Sequence, residues 1–197
     1  MNIPSSYRQQ ISSRTRWHYL KGLLIRWWQH QKYACIRAVA RRRGATVGEA
    51  VVMPFSLARK ANPNLVVGDH TSIQTDLLDL RNPIHIGSHV IIGAYTELLT
   101  TSHDIDSPEF AVKSYGLTIE DYVWLPMHVL VLPSCRLLGR GAVAGSGSVI
   151  VSDVEPMTVV GGNPAQLIRR RNEVHHNLVV ESLLGGDYSA YKEARKK

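Results

Sequence analysis

Ile86-Gly-Ser-His-Val-Ile-Ile92-Gly-Ala-Tyr-Thr-Glu-Leu98 places an aliphatic residue at every sixth position, and glycine follows the first two of them. Four positions after each of those two stands a small or apolar residue, Val90 and Thr96. A period of six fits neither a helix nor a single alternating strand. Working outward, the same pair recurs at Val47 and Val51, Val67 and Thr71, Ile119 and Val123, Leu138 and Ala142, and Ala144 and Ser148. Such a repeat predicts a parallel β-helix. Each hexapeptide makes one short strand and one corner, with the aliphatic residue inward and the small one letting the chain turn. Three units close a triangular coil, and coils stack about 4.8 Å apart through main-chain hydrogen bonds.

Departures from the period are informative. Pro54 to Leu65 predicts a short excursion, and Asp79 to Ile84 holds one extra residue. Seven residues separate Val131 from Leu138, which predicts a bulge at residues 134–137. Pro126 stands where the repeat prefers glycine. The largest break follows His103: the pattern gives way to a polar, proline-containing segment and resumes at Ile119. A dozen-residue loop leaving a rigid scaffold is usually functional. Pro108, Phe110 and Tyr115 give it an apolar underside. Of the other histidines, His70, His85, His89 and His128 are expected on strand faces.

The repeat divides the chain into three parts: an N-terminal basic amphipathic helix at 1–44, a β-helix at 45–164 with a loop at 104–117, and a C-terminal cap and tail at 165–197. The helix runs from about Arg14 to Arg43 and ends at Gly44. Trp17, Leu20, Leu24, Trp27, Ala34 and Ala38 share one face of it. Two readings stand open: this face docks on the protein, or the helix lies at a membrane surface, which tryptophans beside arginines suit. After Gly161-Gly-Asn-Pro-Ala, residues Ala165 to His176 are expected to form a short helical cap with Leu167 and Ile168 inward and Arg169, Arg170 and Arg171 outward. A cap is needed to cover the open edge of the last coil. Residues 185–197 are polar and expected to be poorly ordered.

The 197 residues carry a net charge of +7, which favours anionic partners. Cys35 and Cys135, with no CxxC pair, argue against a disulfide framework or a metal site and for a reducing cytoplasm. The start of the chain lacks the long apolar run of a signal peptide. Tyr19 to Trp28 is interrupted by Lys21 and Arg26 and is too short to span a bilayer. The coils lack the interleaved aromatic and basic residues of single-strand binders, which argues against nucleic acid.

Specific motifs then follow in order: Thr101-Ser-His103-Asp, Ile119-Glu-Asp-Tyr-Val-Trp124, Gly139-Arg-Gly-Ala-Val-Ala-Gly-Ser-Gly-Ser148, Asp153-Val-Glu-Pro156 and Val159-Val-Gly-Gly-Asn163-Pro-Ala165. Over residues 45–171 this set resembles the hexapeptide-repeat O-acetyltransferases of the galactoside and maltose type. It is most similar to the exopolysaccharide enzymes of the colanic-acid type. The resemblance implies an all-β fold, a left-handed parallel β-helix assembled as a homotrimer. It also implies acetyl-CoA as cosubstrate, no metal, and active sites between neighbouring prisms.

His103 is the candidate catalytic base. Moving an acetyl group from a thioester to a sugar hydroxyl requires the hydroxyl proton to be taken as attack begins, and imidazole suits that task. By the resemblance, Asp76 contacts the acceptor, against the plainer reading of a solvent-facing aspartate. Trp124 lines the cofactor channel, with a core role as the alternative. The Met127 amide serves the oxyanion. Gly145 and Ser146 seat the pantetheine, Val151 and Ser152 lie near the adenine, and Arg169 pairs with phosphate. Asp104 or Asp106 is available to orient the imidazole. Cys135 falls at an inward position, so direct transfer is favoured over an acyl-cysteine. The leading expectation is an enzyme acetylating a saccharide of an exported polysaccharide or its lipid-linked precursor, cytoplasmic and in peripheral contact with the inner face of the membrane. The alternatives are an antibiotic O-acetyltransferase of the same fold and a non-catalytic β-helix scaffold.

Overall fold

The structure, a computed structural model, describes residues 3–195. Met1 and Asn2 of the expected N-terminal part, and Lys196 and Lys197 of the expected tail, lie outside the described residues. Thr46–Val47, Leu65–Val67, Ile84–Ile86, Leu117–Ile119 and Leu137–Leu138 form a first parallel sheet. Ser72–Ile73, Ile91–Ile92, Trp124–Leu125, Val143–Ala144 and Thr158–Gly162 form a second, and Glu97–Leu98, Leu130–Val131 and Val149–Ile150 a third. The chain visits the three faces in rotation and pairs each strand in parallel with the coil before it. That is a parallel β-helix.

The register explains the repeat. Val67, Ile86, Ile119 and Leu138 align on the first face, Ile73, Ile92 and Leu125 on the second, and Leu98, Val131 and Ile150 on the third. Each is at most 3% exposed, and burying such a side chain contributes roughly 1.5–3 kcal/mol. The small residues stand at the corners. Thr71 Oγ1 donates to the Gly87 carbonyl at 2.8 Å and accepts from the Val90 amide at 3.2 Å. Thr96 Oγ1 does the same between the Pro126 carbonyl and the Val129 amide. A Cβ added at Gly93 would lie 2.6 Å from both the Met127 nitrogen and the Pro126 carbonyl carbon of the next coil.

Three of the four histidines expected on strand faces are corner residues; only His85 is on a strand. Ala50, His70, His89 and Tyr122 occupy one stacked corner with φ of 53–60°. Left-handed backbone costs a side-chain-bearing residue about 1–2 kcal/mol. The coil spacing offsets this by laying one ring on the next, with centroids 5.2 Å apart for His70–His89 and 5.0 Å for His89–Tyr122. At the next corner His128 stacks on Tyr95.

The excursion contains a short helix, Phe55–Lys60. The seven-residue step is absorbed between Val131 and Leu137, where Asp153 Oδ1 accepts the amides of Arg136 and Leu137 at 2.6 and 2.9 Å. The cap, in contrast, is not helical. Ala165–Arg170 is a strand antiparallel to Thr158–Gly162, and Leu167 and Ile168 are exposed. A strand satisfies the open edge of the last coil, amide by carbonyl, which a helix cannot do.

From there the chain climbs back along the stacked corner. The Arg171 amide donates to Met157, its guanidinium to the Gly141 carbonyl, His175 Nε2 to the His89 carbonyl, and Glu181 pairs with His70. A 3₁₀ turn follows, Val180–Leu184, and the segment 185–197, expected to be poorly ordered, instead holds a helix, Tyr188–Glu193, with Asp187 and Tyr191 almost fully buried. These hold the N-terminal helices, α1 (Ser5–Ser12) and α2 (Arg16–Arg42). Asp187 accepts from Arg26 Nε at 2.9 Å and from the Tyr7 hydroxyl, whose pKa is raised by burial and by that carboxylate.

The face of α2 that docks is not the tryptophan stripe. Gly22, Tyr33, Ile36 and Ala40 are buried, while Trp17, Leu20, Leu24 and Trp27 are 41–74% exposed. The buried face includes side chains with polar tips that find partners: Tyr33 OH on the Leu184 carbonyl and Arg37 on the Val51 carbonyl. An apolar count overlooks such a face. No helix among the described residues is long and apolar enough to cross a membrane.

Gly93→Ala should lower stability by about 1–3 kcal/mol in urea unfolding, because the new methyl meets backbone of the next coil. Asp187→Ala should lower it by about 3 kcal/mol by leaving Arg26 without its carboxylate, and adding Arg26→Met should restore much of the loss.

Candidate active site

His103 ends the strand Thr101–His103, which pairs antiparallel with Val112–Ser114. The expected loop is therefore in part a β-hairpin standing off the third corner. Its register sets Phe110 beside the imidazole, with ring centroids 4.4 Å apart. Phe110 has φ of 50°, and its carbonyl oxygen lies 2.8 Å from His103 Nδ1. A carbonyl can only accept, so Nδ1 carries a hydrogen, and in the neutral imidazole the lone pair then lies on Nε2. The ring is exposed, leaving Nε2 open to a substrate hydroxyl. Neither aspartate orients it. Asp104 pairs with Lys113 at 3.0 Å, which holds its carboxyl below the usual range, and accepts the Asp106 amide.

A second group of candidates lies on the second face and the corner after it. Trp124, Met127 and Ser146 line a mainly apolar cavity of about 530 Å³, with Gln74, Ile91 and Pro126. Its far wall is the returning C-terminal segment, through Arg171, His175, Leu178 and Leu183. Gly145 precedes Ser146 at this corner, and its carbonyl accepts Ser148 Oγ at 2.7 Å. The Met127 amide makes no hydrogen bond among the described residues. His175 Nε2 donates to the His89 carbonyl at 2.8 Å, so Nδ1 accepts from Arg171 Nη2 at 3.1 Å. Burial, and Arg171 beside it, push the His175 pKa down. The cavity thus has an aromatic wall and one fixed cation.

The remaining candidates lie elsewhere. Asp76 stands at the same corner one coil earlier than Tyr95, its carboxylate 4.0 Å from Lys60 Nζ. Val151 and Ser152 follow the third face, on the corner that His103 occupies two coils before, and line a separate cavity of about 360 Å³. Arg169 pairs with Val159 and is exposed outside the Trp124 cavity. Cys135 is buried, and burial pushes its thiol up to about 12. The candidates therefore fall into two sets on different sides of one prism: His103 with Val151 and Ser152, and Trp124 with Met127, Gly145, Ser146 and Asp76. Among the described residues, no hydrogen bond or ring contact joins His103 to Trp124, and His103 does not line the Trp124 cavity. Sequence reasoning missed Arg171, which is indistinguishable from its neighbours in a run of three arginines, and His175, which has no motif around it.

No family model matches the chain. It is 28% identical over 174 residues to the Escherichia coli K12 protein assigned as the colanic acid biosynthesis acetyltransferase WcaF, covering 87% of this chain and 95% of that one. It is 27% identical over 133 residues to the galactoside O-acetyltransferase of the same organism, covering 66% and 65%. Among solved structures, the hexapeptide-repeat acetyltransferase VCA0836 of Vibrio cholerae, complexed with acetyl coenzyme A, superposes with a TM-score of 0.60 at 25% identity over 84% of each chain. Coil architecture, ordered motifs and similarity over most of the chain agree: the chain is similar to the hexapeptide-repeat acetyltransferases.

Proposed function

We propose that the protein is an acetyl-CoA-dependent O-acetyltransferase that acetylates a saccharide hydroxyl, with His103 as general base. The observation that carries this is the hydrogen bond from His103 Nδ1 to the Phe110 carbonyl, which leaves Nε2 as the proton acceptor at an exposed position. The acceptor oxygen attacks the thioester carbonyl carbon while Nε2 takes its proton. The C–O bond forms, the C–S bond breaks, and the imidazolium returns the proton to the departing thiolate. The Phe110 carbonyl also stabilises the imidazolium that forms. The unpaired Met127 amide is a suitable donor for the oxyanion. A buried, high-pKa Cys135 is a poor nucleophile, which favours direct transfer in a ternary complex.

The two sets of candidates come together if the third corner of one protomer meets the second face of the next. This arrangement supports a homotrimer of left-handed prisms, with acetyl-CoA running between subunits. Trp124, Gly145 and Ser146 would flank the pantetheine arm, and Val151 and Ser152 the adenine. Arg169 at the rim and Arg171 within the cavity are the cations for its phosphates. Asp76 would hold the acceptor. The similarity to WcaF favours an exopolysaccharide unit or its lipid-linked precursor, met in the cytoplasm at the inner face of the membrane.

Purified protein should consume acetyl-CoA with saccharide acceptors, and His103→Ala should lower kcat by about 10²–10⁴-fold while calorimetry still detects acetyl-CoA binding. Undiminished turnover would rule out the base assignment. Phe110→Gly keeps the left-handed backbone accessible and removes only the stacked ring. It should lower kcat roughly tenfold through looser imidazole placement, with KM for acetyl-CoA unchanged.

A further inference from the structure

Acyl transfer leaves the outward face of α2 unused. Trp17, Leu24 and Trp28 fall on one stripe, with Leu20 and Trp27 on one flank and Ile25 on the other. These six side chains are 41–74% exposed. The helix cannot roll to bury them, because the opposite face is committed through Gly22, Tyr33, Ile36 and Ala40. At Gly22 a Cβ would lie 2.3 Å from the Tyr191 hydroxyl, so that contact is close. A contiguous apolar patch of this kind marks an interaction surface.

Its charge identifies the partner. The first 48 residues hold ten of the 23 Lys and Arg and none of the 16 Asp and Glu. The rest of the chain, with 13 basic against 16 acidic residues, is slightly acidic. Lys21 and Lys32 stand beside the stripe and are exposed, as are Arg16, Arg42 and Arg43 near the helix ends. We propose that this face docks the protein on an anionic lipid bilayer. The helix lies in the plane of the interface, with the tryptophans and leucines at the boundary of headgroups and acyl chains and the cations at lipid phosphates. The partner must present negative charge and an apolar layer at one surface. Nucleic acid offers the first without the second. A second copy of this chain would set ten cations against ten. The inference does not depend on the reaction proposed above.

Co-sedimentation of the full chain with lipid vesicles tests it without any assay of acetyl transfer. Vesicles containing phosphatidylglycerol should retain the protein, less so as salt rises, and vesicles of phosphatidylcholine alone should retain far less. Lys21→Gln with Lys32→Gln should lower partitioning roughly thirtyfold. Trp17→Ser with Trp28→Ser should lower it by at least about tenfold. Both pairs should leave the thermal midpoint unchanged, since these side chains are exposed. Cys35 is exposed on the same stripe and Cys135 is buried, so a thiol reagent reads this face alone. Cys35 should react freely in solution and be protected by the anionic vesicles. Absence of binding, equal binding to both vesicle types, or a Cys35 already protected without vesicles would overturn the proposal. The last result would mean that another copy covers the stripe.

Discussion

Main-chain hydrogen bonding between successive coils fixes a spacing that every other feature has to fit. At that separation one inward aliphatic per strand fills the prism, and the position just after it can leave no room for a Cβ beside the next coil's backbone, as at Gly93 against Pro126 and Met127. The same separation suits stacked rings, which is how His70, His89 and Tyr122 occupy a left-handed corner. The scaffold is thus rigid where it repeats. Chemistry is possible only where it is interrupted or where its outer surface is covered.

Both kinds of exception occur. The hairpin 101–114 interrupts the repeat and brings a carbonyl to His103 that no coil could supply. The returning C-terminal segment covers the second face and turns an open sheet surface into a cavity over Trp124. A single prism keeps the two apart, so the chemistry of the proposed reaction and its assembly are one question.

The coils were legible in the sequence because their requirement is periodic: Val67, Ile86, Ile119 and Leu138 announce a column by their spacing and chemistry alone. His103 was legible because it stands where the period fails. What was not legible depends on contacts between distant segments. The orienting group of His103 is a main-chain oxygen, so no side chain advertises it. The docking face of α2 includes Arg26, Tyr33 and Arg37, whose partners lie far off in the chain at Asp187, Leu184 and Val51. The strand at Ala165–Arg170 reads as amphipathic helix until the open edge it covers is seen.

The return of the chain from Met157 to α2 alters how such a molecule can come apart. A stack of coils is quasi-one-dimensional, each layer held by its neighbours, and its end layers are the natural places to fray. Here the last residues bridge to the first through Asp187, Arg26 and Tyr191, having touched Gly141, His89 and His70 on the way. Both ends of the stack are thereby fastened to one strap, and loosening either one strains the other. A structure built by addition is made cooperative, losing its coils together rather than one at a time.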